Sequence, residues 1–237
     1  MITSRDNARV KHWAKLARDG RYRKSQKRAL IEGPHLVEAY LAAGLRPIEV
    51  IRSGETVSEA VFRALVEVEA PQGVAAEIAI PEGKADPRRD CVFLEGIQDA
   101  GNVGAIIRSA AAFGIGTVVL DAQCADAWSP KVLRAGMGGH FALSIVTCGE
   151  LAGELERFSG RLVATVARDG VDLRKADLGG RVGWIFGSEG KGLSDAALRE
   201  ADARVTIPIA PGTESLNVAA SAAICLYAGF SRPGGRS

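Results

Sequence analysis

Two stretches near the C-terminus hold the residues best suited to chemistry: Gly183-Trp-Ile-Phe-Gly-Ser-Glu-Gly-Lys-Gly-Leu-Ser194 and Ile207-Pro-Ile-Ala-Pro-Gly-Thr-Glu-Ser-Leu-Asn-Val218. The apolar run Val182 to Phe186 reads as a buried strand that stops at Gly187. Three glycines between Gly187 and Gly192 then let backbone N–H and C=O groups approach a ligand with no Cβ in the way. Asp195 to Glu200 reads as a short helix, Arg204 to Ile209 as a strand ended by Pro208 and Pro211, and Ser215 to Tyr227 as a helix. Strand, glycine loop, helix, strand, polar loop, helix is the order of an α/β ligand site, with its loops at the carboxyl ends of the strands.

Familiar chemistries fail on single residues. A nucleophile elbow needs glycine two places before Ser188, where Phe186 stands. A P-loop needs serine or threonine after Lys191, where Gly192 stands. A dinucleotide fingerprint needs Gly-x-Gly-x-x-Gly after its strand, and the loop after Glu95 offers only Gly101 and Gly104. By itself the glycine loop describes a flexible turn as readily as a site.

A third stretch changes the reading. Gly101-Asn-Val-Gly-Ala-Ile-Ile-Arg-Ser109 holds Asn102 with Arg108 six residues on. Together with Phe186-Gly-Ser-Glu189-Gly-Lys-Gly-Leu and Ile207-Pro208 leading to Glu214-Ser-Leu-Asn-Val218, it resembles the three ordered motifs of the SpoU (TrmH-like) family of RNA 2′-O-ribose methyltransferases, in the SPOUT superfamily. One departure lies in the third motif, where Pro211 stands in place of the family's usual glycine, and Gly212 follows one place later. Because proline fixes φ and lacks an N–H, the departure places the fit of that loop to the cofactor in question.

The resemblance implies methyl transfer from S-adenosylmethionine to a ribose 2′-hydroxyl of RNA. It assigns Arg108 to the target phosphate and to deprotonation of the hydroxyl. With a pKa above about 12, an arginine is a poor base; positioning and stabilisation of the developing alkoxide suit it better. Asn102 is implied to orient Arg108 or the ribose, and it equally suits a helix N-cap. Glu189 either organises the glycine loop by accepting N–H bonds or faces substrate and cofactor. Ser215 and Asn217 are implied to hold the substrate side, although Ser215 also suits an N-cap. The cofactor is implied to rest largely on main chain at Gly187, Ile207 and Leu216, with Thr165 at the end of its strand. The resemblance further implies a deep trefoil knot that forms the cofactor site, and a homodimer whose active site is completed across the interface.

The elements that must position these residues fall into two units. Residues 1–81 read as a small α/β domain: a helix over Asn7 to Ala17, strand Arg28 to Glu32, helix His35 to Ala43, strand Pro47 to Ile51, helix Ser58 to Val68 and strand Gly73 to Ile80. It resembles the L30e-like RNA substrate-binding domain that many SpoU enzymes carry, with echoes at Ile31-Glu32-Gly33 and Pro71-Gln72-Gly73-Val74. Residues 82–90, polar and with Pro87, read as a linker. Residues 91–230 alternate strands and helices: strand Cys91 to Glu95, helix Val103 to Phe113, strand Thr117 to Leu120, a helix from Ser129 to about Ala135, strand Ala142 to Val146, helix Leu151 to Phe158 and strand Arg161 to Ala167, then a polar loop to Arg181. That alternation implies a mostly parallel sheet covered on both faces. Residues 231–237 read as a flexible tail.

Composition narrows the classes. The chain has 237 residues and 47% hydrophobic composition, enough to bury a sizeable core. Cys91, Cys124, Cys148 and Cys225 are widely spaced without a Cys-x-x-Cys or a nearby histidine pair, so they read as reduced core thiols and give no metal site. No secretion signal or apolar run of spanning length is present, and a cytoplasmic protein that meets no membrane is expected. Net charge is only +2, yet ten basic residues lie between Arg5 and Arg28 against Asp6 and Asp19, with Trp13 and Tyr22 interleaved. Such a run reads either as a solvated helix face or as a phosphate-backbone contact, and an RNA substrate favours contact through Arg21, Arg23 and Lys24. Ribosomal RNA is favoured over transfer RNA because the N-terminal unit resembles a ribosomal-protein fold. The rival classes are a non-catalytic RNA-binding protein using the basic domain, and a hydrolase or nucleotide-binding enzyme.

Overall fold

A computed structural model describes residues 1–232 apart from 67, 85 and 87, so residues 233–237 of the expected tail lie outside the described residues. Helix α1 (Ala8–Arg18) starts where the Asn7 side chain accepts from Arg9 N, and it buries Val10, Trp13, Leu16 and Ala17. A second helix, α2 (Gly20–Gln26), follows at once, capped by Asp19 through Tyr22 N. The basic run hid it: no apolar period marks these seven residues. Strand β1 (Arg28–Glu32), α3 (Pro34–Ala42), β2 (Glu49–Arg52), α4 (Glu59–Leu65) and β3 (Val74–Ala79) complete the unit. Its sheet has the order β1-β3-β2 and is antiparallel throughout.

The second sheet is parallel, with seven strands among the described residues. In chain order its elements are β4 (Cys91–Glu95), α5 (Ala100–Ala112), β5 (Thr117–Leu120), α6 (Pro130–Gly136), β6 (Ser144–Thr147), α7 (Ala152–Glu156), β7 (Arg161–Thr165), β8 (Val171–Asp172), β9 (Val182–Gly187), α8 (Asp195–Glu200), β10 (Ala203–Thr206) and α9 (Val218–Phe230). The strand order is β6-β5-β4-β9-β7-β10-β8. The chain runs outward from β4 to β6, restarts at β7 on the far side, and later fills the gap with β9. Such a reversal leaves a crevice at the carboxyl ends of the strands, where open α/β sheets bind ligands.

Several boundaries differ from the sequence reading for identifiable reasons. Helix α5 begins three residues before Val103 because Asp99, not Asn102, is its cap: Asp99 Oδ1 accepts from Asn102 N at 2.8 Å. Helix α9 begins at Val218 and not at Ser215, since Asn217 Oδ1 accepts from Ala219 N at 2.9 Å and Ala220 N at 3.2 Å. A 3-10 turn at Gly139–Phe141 delays β6 by two residues. Strand β8, two residues long, lies in the segment read as loop and is too short to show a period.

The two sheets share a core. Ala29, Ile31, Leu36 and Tyr40 of the first unit belong to the same buried cluster as Val103, Ile107, Val132 and Leu133 of the second. The Tyr40 and Phe141 rings meet edge to face at 5.1 Å. Across the same seam Arg23, only 5% exposed, pairs with Asp126 at 2.6 Å, and its Nη1 also donates to Leu16 O and Ala17 O. The segment expected to be a linker is docked as well. Lys84 N donates to Ser144 Oγ, Asp86 N donates to Thr117 Oγ1, and a Cβ at Gly83 would lie 1.9 Å from Ile145 O. At the other end Arg232 donates to Asp90 Oδ2 and Gly180 O, which ties the start of the expected tail to β4 and β9.

Candidate active site

Three residues far apart in sequence meet at the N-terminus of α9. Glu189 Oε1 accepts from Asn102 Nδ2 at 3.0 Å, from Asn217 Nδ2 at 2.9 Å and from Val218 N at 3.4 Å. A carboxylate only accepts, so both amides must turn their NH2 groups toward it, and Asn217 Nδ2 also reaches Asn102 Oδ1 at 2.9 Å. Each amide is held from a second side, Asn217 by capping α9 and Asn102 by its place in the first turn of α5. The positive end of the α9 backbone favours the carboxylate there. Glu189 accepts no N–H of its own glycine loop at Oε1; it ties that loop to the starts of α5 and α9, and Oε2 carries no hydrogen bond among the described residues.

A pocket opens beside this cluster at the carboxyl ends of β7, β9 and β10. All four residues expected to hold the cofactor line it, Thr165, Gly187, Ile207 and Leu216, and so do Glu189 and Ser215. The sequence reading missed Val166, Ala167, Ser188, Ile209 and Ser221 among its walls, because neighbours of a motif carry no signal of their own. Gly187 is required by its own loop: a Cβ there would lie 2.3 Å from Gly192 C and O and 2.6 Å from Leu193 N. The loop is also pinned at its far end, where Glu95 accepts from Ser194 N at 2.8 Å and Ser194 Oγ at 2.7 Å; no motif pointed to Glu95. In the third motif, Thr213 N donates to Ala210 O across Pro211 and Gly212, and Gly212 has φ +87°. Proline followed by a positive-φ glycine makes a type II turn. That turn does not line the pocket, so the departure at Pro211 falls outside its walls.

A model described as the SpoU rRNA Methylase family matches residues 90–227, more than half of the chain. The chain belongs to the SpoU rRNA methylase family. A second model, the MRM3-like substrate binding domain, matches residues 7–56. The chain is 34% identical to the 23S rRNA (guanosine(2553)-2′-O)-methyltransferase RlmP of Bacillus subtilis, over 95% of this chain and 97% of that protein. Among solved structures it resembles the AdoMet-bound rRNA methyltransferase from Sinorhizobium meliloti (TM-score 0.87, 27% identity, 97% of this chain and 96% of that one). It also resembles the SpoU methyltransferase AviRb from Streptomyces viridochromogenes in complex with AdoMet (TM-score 0.84, 26% identity, 94% and 97%).

Within this SpoU chain the remaining expected residues are placed unevenly. Arg108 is not brought to the cluster: it projects from α5 into solvent, does not line the pocket, and has no partner among the described residues. Gly139 packs against its backbone, where a Cβ would lie 3.1 Å from Arg108 Cα. Gly104 has a packing role too, since a Cβ there would meet Val132 O at 2.6 Å where α5 crosses α6. Of the three cations expected to meet RNA, Arg21 and Lys24 are exposed, whereas Arg23 is turned inward to Asp126. Other members of the basic run are also engaged: Arg9 with Glu49, Lys11 with Asp6, Arg18 with Ala64 O, Arg28 with Glu77, and Lys15 over the Tyr22 ring. Arg5, Arg21, Lys24 and Lys27 have no partner among the described residues.

The four cysteines are unpaired, and burial pushes the Cys124 and Cys225 thiols up to about 12, which rules them out as thiolate nucleophiles near neutral pH. Among the described residues no group of histidines, cysteines and acids could hold a metal ion, and no helix is long and apolar enough to cross a membrane.

Proposed function

We propose that this chain transfers a methyl group from S-adenosylmethionine to a ribose 2′-hydroxyl of RNA, with ribosomal RNA favoured over transfer RNA. The carrying observation is the convergence of Asn102, Glu189 and Asn217 on the rim of a pocket lined by Thr165, Gly187, Ile207 and Leu216. The lining suits that donor. Among the described residues Glu189 is the only charged one in the walls, which a sulfonium cation would welcome. Among the described residues no lysine or arginine lines the pocket, so a polyphosphate would find no counter-charge from them. Phe186, Ile207, Ile209, Leu216 and Val218 offer apolar walls, while Thr165, Ser188, Ser215 and Ser221 offer hydroxyls.

When bound, the donor supplies an already activated methyl group. The chain's own task is therefore to align the ribose and receive charge while the hydroxyl proton passes to solvent and the donor leaves as a neutral thioether. Asn102, oriented by Glu189 and Asn217, keeps one amide N–H for the substrate side, Asn217 holds that orientation, and Ser215 adds a hydroxyl. Arg108 stabilises the developing alkoxide and holds a phosphate, and its exposure leads us to place it in the site of a second copy. A homodimer built on α5 and α9 fits this, because Ile224, Tyr227 and Phe230 are exposed on α9 and the last two pack against Phe113 at the end of α5.

We further propose that residues 1–81 form an L30e-like RNA-binding domain, that residues 82–90 join it to the catalytic unit, and that the segment carrying the last two motifs is threaded as a deep trefoil knot. Support for the knot comes from the insertion of β9 between earlier strands and the return of α9 onto α5 and β9. Four unpaired cysteines fit a cytoplasmic protein. The test is a thermal-shift titration with S-adenosylmethionine and with ATP, followed by tritium transfer from labelled donor to 23S rRNA transcript. Stabilisation by the first ligand alone, with label recovered as a 2′-O-methylated nucleoside, is the expected result. Stabilisation by ATP alone would overturn the reading.

A further inference from the structure

A second cleft lies at the start of α5, beside α6. Gln98, Asp99, Ala100 and Gly101 form one wall, and Lys131 and Arg134 of α6 the other. The first wall ends at Gly101, one residue before Asn102 of the active-site cluster. Lys131 is exposed and has no partner among the described residues. Arg134 leans on Glu32 at 3.6 Å, an ion pair without a hydrogen bond, and its Nη1 is buried with no hydrogen-bond partner. Of the nearby acids, Asp99 is turned to cap α5, and Asp126 is paired with Arg23. Lys131 therefore brings an uncommitted ammonium to the cleft among the described residues, beside an Arg134 that shares its charge with Glu32.

Its walls also say which ligand chemistry fits. Recognition of an unstacked base calls for an aromatic or planar stacking surface, and a protein partner calls for a buried aromatic or aliphatic anchor. This cleft has neither, only small residues between polar ones. A lysine and an arginine facing one gap suit a phosphate. The position is telling too: Arg23 binds the loop that precedes α6, so exposed Arg21 and Lys24 of α2 neighbour the same seam.

We propose that this cleft is a phosphate-binding subsite, in which Lys131 and Arg134 grip a backbone phosphate of the RNA strand whose ribose enters the Asn102 cluster. The inference rests on the methyltransferase reading and adds a residue, Lys131, that no motif marks. Phosphate contacts of this kind set the register of a nucleic acid and carry most of the salt dependence of its binding. The experiment compares wild type, Lys131→Ala, Lys131→Glu and Lys131→Arg for binding of 23S rRNA transcript across a salt series, for methyl transfer, and for the thermal shift with S-adenosylmethionine. Because Lys131 is exposed and makes no hydrogen bond or ion pair among the described residues, all variants should fold and show the wild-type thermal shift.

Lys131→Ala should lower the slope of log affinity against log salt by roughly 0.7 to 0.9 and raise the KM for RNA several-fold. Lys131→Glu should raise it further, and Lys131→Arg should restore the slope. An unchanged slope in the alanine and glutamate variants, with wild type still methylating RNA, would overturn the subsite and leave the enzyme reading intact. Wild type that binds the methyl donor but neither binds RNA in a salt-dependent way nor methylates it would overturn both.

Discussion

Replacing Gly187 and Gly190 by alanine, one at a time, should give opposite results within a single loop. An ideal Cβ on Gly187 lies 2.3 Å from Gly192 C and O and 2.6 Å from Leu193 N. Favourable carbon contacts lie near 3.5–4.0 Å, so the backbone at Gly192 and Leu193 must retreat by about 1 Å or more. That movement cannot stay local. Gly192 N donates to Ser188 O at 2.8 Å, Glu189 sits inside the same turn, and Ser194 is fixed to Glu95. An intrusion of this kind costs about 1–3 kcal/mol, or roughly 2–4 °C of melting temperature per kcal/mol in a chain of this size.

The larger consequence is for the site, because the displaced turn carries Glu189 away from Asn102 and Asn217. Gly190, by contrast, has open space within 4 Å of its ideal Cβ and does not occupy the positive-φ region. Gly190→Ala should therefore change the melting temperature little and keep the thermal shift with S-adenosylmethionine. Gly187→Ala should lose most of that shift and most methyl transfer. A side chain at Gly187 meets the loop itself before it meets any ligand. Gly187→Ala protein with wild-type stability and cofactor affinity would refute this reasoning.

His140 should make folding sensitive to mild acid. It is 1% exposed, its Nε2 bonds Ala127 O at 2.8 Å, and burial lowers its pKa from 6.5 to about 4. The unfolded chain binds the extra proton between these values, so this contribution is complete above about pH 6.5 and lost as pH falls toward 4. It amounts to about 3 kcal/mol; urea unfolding at pH 7 and pH 4.5 should show it, and His140→Gln should show a flatter response. Arg23→Ala should destabilise the fold by about 3 kcal/mol through the stranded Asp126 and the lost carbonyl contacts, whereas Arg21→Ala with Lys24→Ala should leave the melting temperature unchanged and weaken RNA binding. Arg108→Ala should keep cofactor affinity within a few fold while abolishing transfer, and Arg108→Lys should rescue it poorly. Mixing Arg108→Ala with an Asn217→Ala variant should restore part of the activity if the two residues serve one site from different copies; no recovery in verified mixed dimers would count against a shared site.

Much of the catalytic unit is legible in the chain itself. Buried parallel strands such as Cys91–Glu95 and Thr117–Leu120 are continuous apolar runs closed by polar or glycine residues, and their ends agree with the structure. The three motifs point to methyl transfer only through their resemblance to the SpoU family, and the family match over residues 90–227 agrees with that resemblance. Tertiary structure alone decided how they combine. Glu189 is 87 residues from Asn102 and 28 from Asn217, and only the placement of β9 between β4 and β7 brings their loops to one end of the sheet. It also decided which cations remain free. Arg21, Arg23 and Lys24 look alike in a basic run, yet one turn of α2 faces Asp126 and the core while the other positions face solvent. Local sequence carries the propensity to form a helix and its caps; the direction a charged side chain finally takes depends on which acid the distant chain supplies, and on the desolvation that leaves a buried guanidinium no alternative partner.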